Sequence, residues 1–338
     1  MPHRVGLHMS LGAGLTRQES LDFVLRAEAL GYESIWFGES WGYDAFTTLT
    51  WVASHAKKIR LGTHISTIFS RTPAMTAQSA FSLNEIANGR LTLGIGTSGP
   101  LVVQNWHGVE WGSPLKRTRE YVEIIRLALS GRRVNYNGDL YKLKGFKLRD
   151  LEGAVKIPIM IASIGPQNIQ LTGEIADGWL PIFLRRDSID QCKNLIQEGA
   201  ALTHKKLDNF EIAPSVLSAV SDNPSHARNM VKAHIAFYIG GMGDFYNNMM
   251  NRFGWATEAT DIRAAWDKPD RSGRISARDS VTNEMVDQTS VTGDAKYAKE
   301  QLINLIDAGV TLPILMFPFG SDKKVLSDTI EALAPKRT

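Results

Sequence analysis

Eight short apolar runs, each separated from the next by a helical pattern, constrain this chain more than any other feature. They fall at Arg4–Ser10, Ser34–Glu39, Arg60–Ser66, Leu91–Gly96, Ile157–Ser163, Gly178–Phe183, Glu211–Val220 and Leu312–Phe317. After the first run, Thr16 and Glu19 form a capping box, Leu21, Val24, Leu25 and Ala29 supply one apolar face, and Gly31 ends the helix. Pro73 opens a helix that stops at Gly89, and another runs through about Lys116–Ser130. Such alternation predicts an α/β fold, a single closed (β/α)8 barrel domain over residues 1–338. The rhythm breaks at about 131–155, where NYNGDLYKLKGF reads as a hairpin, and at about 221–290, which reads as several short helices. Both are insertions. An open doubly wound sheet is the alternative, but no G-x-G-x-x-G follows the first run: Gly12-Ala13-Gly14 leads into Leu15-Thr16-Arg17.

In a barrel, reactive groups gather at the C-terminal ends of the strands. Those ends hold Glu39 and Ser40, His64 and Ile65, Thr97 and Ser98, Ser163, Phe183 with Arg185, Ser218 and Phe317. Hydroxyls and apolar surface around one carboxylate and one histidine suit a flat heterocycle better than a metal-activated water. The spacing offers no metal ligand set. G-x-S-x-G is absent, which disfavours a serine hydrolase. The fourth run breaks into Gly96-Thr97-Ser98-Gly99-Pro100, where glycine leaves room for a planar ligand and Thr97 and Ser98 offer hydroxyls. An ordinary tight turn shares that signature. Ser163-Ile164-Gly165-Pro166-Gln167 leads a strand end into a helix N-terminus, a ready anion site, with capping by Ser163 as the plainer reading. Trp36 and Trp51 read as packing, whereas Trp41, Trp106 and Trp179 lie at or past strand ends and read as walls of a ligand slot. His107, in the loop after the fourth strand, is the remaining acid–base candidate. Glu39 reads equally well as a salt-bridged rim carboxylate.

Charge narrows the partners. Lys and Arg number 38 against 35 Asp and Glu, so the net charge of +3 is small, and it is not gathered in blocks. Nucleic-acid binding is therefore disfavoured and a small molecule is the expected partner, with a homodimer left open. The lone Cys192 allows no intrachain disulfide and reads as helix core. MPHRVGLHMSLG lacks the apolar stretch of about 7–15 residues in a signal peptide. No run reaches the roughly 18 apolar residues of a membrane helix, so a cytoplasmic location without membrane contact is expected.

GRLTLGIGTSGP followed by VVQNWHG, with SRTPAMTAQ before it and ASIGPQNIQLTGEIADGW after it, resembles the bacterial luciferase-like oxidoreductases. Within them it is most similar to the branch that uses the deazaflavin coenzyme F420. The resemblance implies hydride transfer between F420 and a small organic substrate: an alcohol or ketone, an enone, or a pterin-linked methylene group. It implies that Glu39 meets the ring system and that His64-Ile65 forms a non-prolyl cis peptide against its middle ring. Thr97, Ser98 and Gly99 are then cofactor contacts, with the cofactor's phosphate at Ser163, Gly165 and Gln167. By their positions, Ser40, Trp41, Trp106 and Trp179 are expected to line the substrate pocket, and His107 and Glu39 to carry the chemistry. Two positions depart from the pattern. Relatives often place a catalytic histidine directly after the acid, where this chain has Ser40, and some carry a glutamate just beyond the glycines, where it has Ser98-Gly99-Pro100. Both argue against the sugar-phosphate dehydrogenase branch and leave the proton donor unassigned. An FMN-dependent monooxygenase and a non-catalytic cofactor carrier or sensor on the same fold are the alternatives.

Overall fold

The structure, a computed structural model, describes residues 3–9, 14–39 and 42–335. Its backbone contacts gather into two units. One comprises Met1–Glu33, Pro181–Cys192 and Ile212–Thr338, the other Ser34–Leu180 and Lys193–Glu211.

In the second unit the strands Ser34–Phe37, Arg60–Thr63, Leu91–Gly96, Ile159–Ala162 and Gly178–Trp179 pair in that order, all parallel. SIWF and LTLGIG are buried throughout, as parallel strands covered on both faces must be. The connecting helices include Ala45–His55, Pro73–Ile86, Pro114–Leu129 and Pro166–Ile175. Three of them open on proline, which fixes a helical φ where no N–H is needed. The predicted hairpin is present as Val134–Asn137 against Lys142–Phe146. Glu120, on the preceding helix, anchors its turn by accepting the N–H groups of Asp139, Leu140 and Tyr141 at 2.9–3.1 Å.

The third strand carries one residue more than its neighbour. Gly62 pairs with Thr92 and Ser66 with Ile95, so residues 63–65 face only 93–94. This is a β-bulge in a parallel pair, where bulges are rare. Its His64–Ile65 peptide bond is cis, as the resemblance implied. Thr63 fills the broken ladder: its hydroxyl accepts the Gly94 N–H at 2.9 Å and donates to the Gly94 carbonyl at 2.7 Å. A Cβ on Gly94 would lie 2.0 Å from the Thr63 carbonyl oxygen, and one on Gly96 would lie 3.1 Å from Ile65 Cδ1 and 3.2 Å from Ala162 Cβ. Gly94 and Gly96 therefore make room for the bulge and the next strand.

In the first unit Gly6–Met9 pairs with Ile314–Met316, that strand with Ser215–Val220, and that one with Ser290–Gly293, all parallel. Three expectations change here. The run Glu211–Val220 is two pieces, Glu211–Ile212 and Ser215–Val220, because Pro214 has no N–H for a ladder. Gly178–Phe183 shortens to Gly178–Trp179, Pro181 again being unable to donate. Ser290–Gly293 is an unforeseen strand, its four buried residues too few to show alternation. The predicted helical insertion holds Pro224–Gly241, Asp244–Arg252, Ala256–Trp266, Arg271–Asp279 and Asn283–Thr289. The first of these, at 18 residues, is not short.

Gly94→Ala should destabilise the chain by about 3 kcal/mol, the upper end of ordinary overpacking, because the added methyl meets backbone. Urea denaturation tests this; a loss below about 1 kcal/mol would contradict the close approach of Thr63.

Candidate functional site

Parallel strands point one way, so the second unit collects their C-terminal ends together. Backbone contacts stitch these ends into a ledge. The Glu39 N–H donates to the Ile65 carbonyl at 3.2 Å, the His64 N–H to Phe37 at 2.7 Å and the Ile68 N–H to Gly96 at 3.0 Å, while Gly96 stands in register with Ala162. His64, Ile65, Thr97, Ser98, Gly99 and Gly165 are half-buried, so the ledge keeps an open face. Ser98, with φ 59°, turns the chain out of the strand through the left-handed region. Residues 101–106 then form a π-helix, Leu101–Trp106, where a loop was expected. Val102 and Val103 are buried and pull that turn inward, and the His107 N–H closes it on the Val102 carbonyl at 3.1 Å. Such turns are rare and gather at functional sites. Trp106 is 47% exposed. His107 is exposed, and its side chain has no hydrogen bond or ion pair among the described residues. The contacts of the ledge do not join it to Glu39.

Glu39 is committed to its own chain. Arg71 Nη1 lies 2.6 Å from both of its carboxylate oxygens, and Arg71 Nη2 pairs with Asp44. Ser66 Oγ and the Ala45 N–H donate to the same carboxylate at 3.1 and 3.3 Å. The guanidinium rests over the Phe46 ring, 5.0 Å from its centroid. Only 12% of the Glu39 side chain is exposed, and burial raises its carboxyl above the ordinary value while Arg71 pulls the other way. The two short contacts make the ion pair its resting state. Sequence reasoning missed Arg71 and Ser66. The arginine sits in SRTPAMTAQ, but nothing local says that it turns back to an acid 32 residues earlier.

Ser163 does not cap the following helix. It is 2% exposed, its hydroxyl is bonded to Thr172 Oγ1 at 2.9 Å, and its carbonyl accepts the Trp179 indole N–H at 2.9 Å. The cap position is Gly165, with no side-chain hydrogen bond. A Cβ on Gly165 would meet nothing within 4 Å, and Gln167 is exposed. Asn168 Oδ1 is buried with no partner among the described residues. Free N–H donors, open space and an orphaned acceptor fit a phosphate that carries a hydroxylated tail. Trp179 is 1% exposed and braces the strand ends from within the core, so it offers little wall to an open slot. Ser40 and Trp41 lie outside the described residues.

A cavity of about 340 Å³ lies at the opposite ends of these strands, lined by Arg60, Pro158, Asp177, Lys205 and Glu211 among others. Its polar groups brace the fold: Arg60 pairs with Glu211 at 2.9 Å, and Lys205 donates to the carbonyls of Gly173 and Ala176. Among the described residues no cluster of His, Cys, Asp and Glu is suited to a metal, and no helix is long and apolar enough to cross a membrane.

In the first unit sequence reasoning missed a second cluster. His234 and Tyr238 on the helix Pro224–Gly241 meet Phe183, Tyr246 and Phe319. An i, i+4 pair of rings in a stretch read only as helical gives no signal of its partners. Burial pushes the His234 imidazole down to about 3, with His8 adding to the effect.

The family model described as luciferase-like monooxygenase matches residues 2–312. A protein of Mycobacterium tuberculosis named as a coenzyme F420-dependent oxidoreductase is 31% identical over 331 residues, covering 92% of this chain and 94% of its own. The 5,10-methylenetetrahydromethanopterin reductase of Archaeoglobus fulgidus is 32% identical over 308 residues, covering 89% and 90%. Among solved structures, the coenzyme F420-dependent tetrahydromethanopterin reductase from Methanopyrus kandleri superposes with a TM-score of 0.82 at 24% identity, covering 98% of this chain and 97% of that one. That likeness shows the fold, the (β/α)8 barrel expected from the alternation of elements.

His234 generates a pH prediction. Between its ordinary 6.5 and about 3, the unfolded chain takes up a proton here that the native chain refuses. The stability from this group is full above 6.5 and falls as pH drops through that window, by at most about 1.4 kcal/mol per pH unit. Urea denaturation at about pH 7 and about pH 4.5 should show a smaller acid loss in His234→Phe than in the unaltered chain. Equal losses would contradict a buried neutral imidazole.

Proposed function

The chain belongs to the luciferase-like family, and we propose that it is an oxidoreductase transferring hydride between coenzyme F420 and a small organic substrate. One observation carries the reading: Ile65, Thr97, Ser98 and Gly99 are half-buried at the strand ends, and Ala162, in register with Gly96, leads into an uncapped helix N-terminus at Gly165. A flat ring system with an anionic tail matches that arrangement in shape and in charge. The curated relatives, one named for F420 and the other as a reductase, support the same class.

When bound, F420 supplies two-electron hydride chemistry. The chain's part is to bind and orient. The first-turn N–H groups of the helix Pro166–Ile175 would hold the phosphate, with Gly165 leaving the space and Asn168 Oδ1 accepting a hydroxyl. Gln167 stands exposed beside it. Thr97 and Ser98 supply hydroxyls where the ledge turns, and Ile65, held against Gly96, supplies an apolar surface. Glu39, locked to Arg71, fixes the strand end and leaves His107 as the group we assign to proton transfer. Alcohols or ketones, enones and pterin-linked methylene groups are the substrate classes in view. Ser40, Trp41 and Trp106 are the side chains we assign to the substrate.

Gly165→Val tests the site. With φ −96° and no atom within 4 Å of the new Cβ, the variant should fold as the parent does. Its affinity for F420 by calorimetry should fall at least about tenfold, or about 1.4 kcal/mol. Unchanged affinity in a folded variant would put the phosphate elsewhere.

A further inference from the structure

The aromatic cluster of the first unit holds a donor with no partner among the described residues. His234 stacks on Phe319 with centroids 4.0 Å apart and planes 17° apart, and on Tyr238 at 5.1 Å and 14°. Its Nδ1 accepts the Phe319 N–H at 3.1 Å. In the neutral ring the proton is therefore on Nε2. That atom is buried and has no partner among the described residues. Unmet buried donors are scarce in folded chains because nothing replaces the lost water.

The walls around it are consistent with a ligand. Tyr238 and Tyr246 lie 4.8 Å apart, edge to face, and Phe183 meets them at 5.3 and 6.0 Å. Neither tyrosine hydroxyl has a hydrogen bond among the described residues, and burial raises both, Tyr238 to about 12, so they stay protonated. Phe183 is buried at φ 52°, a backbone region that a bulky residue enters only when its surroundings enforce it. Phe319, 51% exposed, forms the outer wall. Among the described residues no lysine or arginine completes the cluster: His8 is the titratable group that acts on His234, and the neighbouring Arg185 is engaged by Asp187, the Phe253 carbonyl and the Trp255 ring. Neutral donors between rings favour a neutral acceptor, since a carboxylate would lose its water without gaining a counter-charge.

We infer that this unit carries a binding site for a small, flat, uncharged carbonyl compound, whose oxygen accepts a hydrogen bond from His234 Nε2 between the rings of Tyr238, Tyr246 and Phe319. The inference rests on the contacts of this unit alone and does not depend on the cofactor reading.

Calorimetry on the full chain, without cofactor, compares acetophenone with ethylbenzene, which lacks the oxygen, and with benzoate, which carries a charge. Acetophenone should bind about fivefold tighter than ethylbenzene, the equivalent of one net hydrogen bond, and benzoate more weakly than acetophenone. In His234→Phe the advantage over ethylbenzene should vanish. Failure of acetophenone to bind, equal affinities in the unaltered chain, tighter benzoate, or an advantage that survives the substitution would overturn the inference. Should that variant not fold, nitrogen NMR of the unaltered chain with labelled histidine decides. Acetophenone should move the His234 Nε2 resonance and leave Nδ1 in place, and an unmoved Nε2 would overturn the inference equally.

Discussion

The Thr63 hydroxyl, bonded to both the N–H and the carbonyl of Gly94, is the contact on which the ledge depends. It lets the third strand carry an extra residue beside Leu91–Gly96 without leaving buried backbone groups unmet. The bulge places His64 and Ile65 between Glu39 on one side and Gly96 on the other. Glycine at 94 is the condition for this, since any Cβ there would run into Thr63 backbone. The small residues that look like a ligand's bed are first a requirement of the strand pair.

Which polar groups the chain satisfies for itself, and which it does not, separates structure from function. Glu39, Asp44 and Arg71 close on one another, and Arg60 and Glu211 do so at the far end of the same strands. Thr16, Asp44, Thr72, Asn223, Asp270, Thr282, Asp294 and Asp322 each cap a helix with a side chain. At Gly165, as at Ser113, Gly243 and Trp255, the helix opens without one, but there it stands beside an orphaned Asn168 oxygen, and at His234 a buried ring nitrogen faces aromatic walls. Unmet buried polar groups are where an external partner gains most.

Period and punctuation made the architecture legible. Buried runs such as SIWF and LTLGIG, helices opened by Pro73 and Pro166, and the Asn137-Gly138 turn all declare themselves locally. What escaped depends on contacts between residues far apart in sequence. Arg71 turning back to Glu39, Tyr238 meeting Tyr246 beside Phe183, and Ser290–Gly293 joining Ser215–Val220 leave no periodic trace. The π-turn at Leu101–Trp106 was hidden for another reason: its buried Val102 and Val103 follow Gly99-Pro100, which reads as loop. The resemblance, not periodicity, pointed to the bond between His64 and Ile65. It also pointed to the helix N-terminus as a phosphate site, but periodicity alone did not show that Ser163 would be held by Thr172.

Everything proposed for the ledge turns on which cofactor it prefers. Titrating the chain with F420 and with FMN in parallel, by calorimetry, measures that preference directly. F420 should bind tighter by at least about tenfold. Equal or tighter binding of FMN would contradict the proposal.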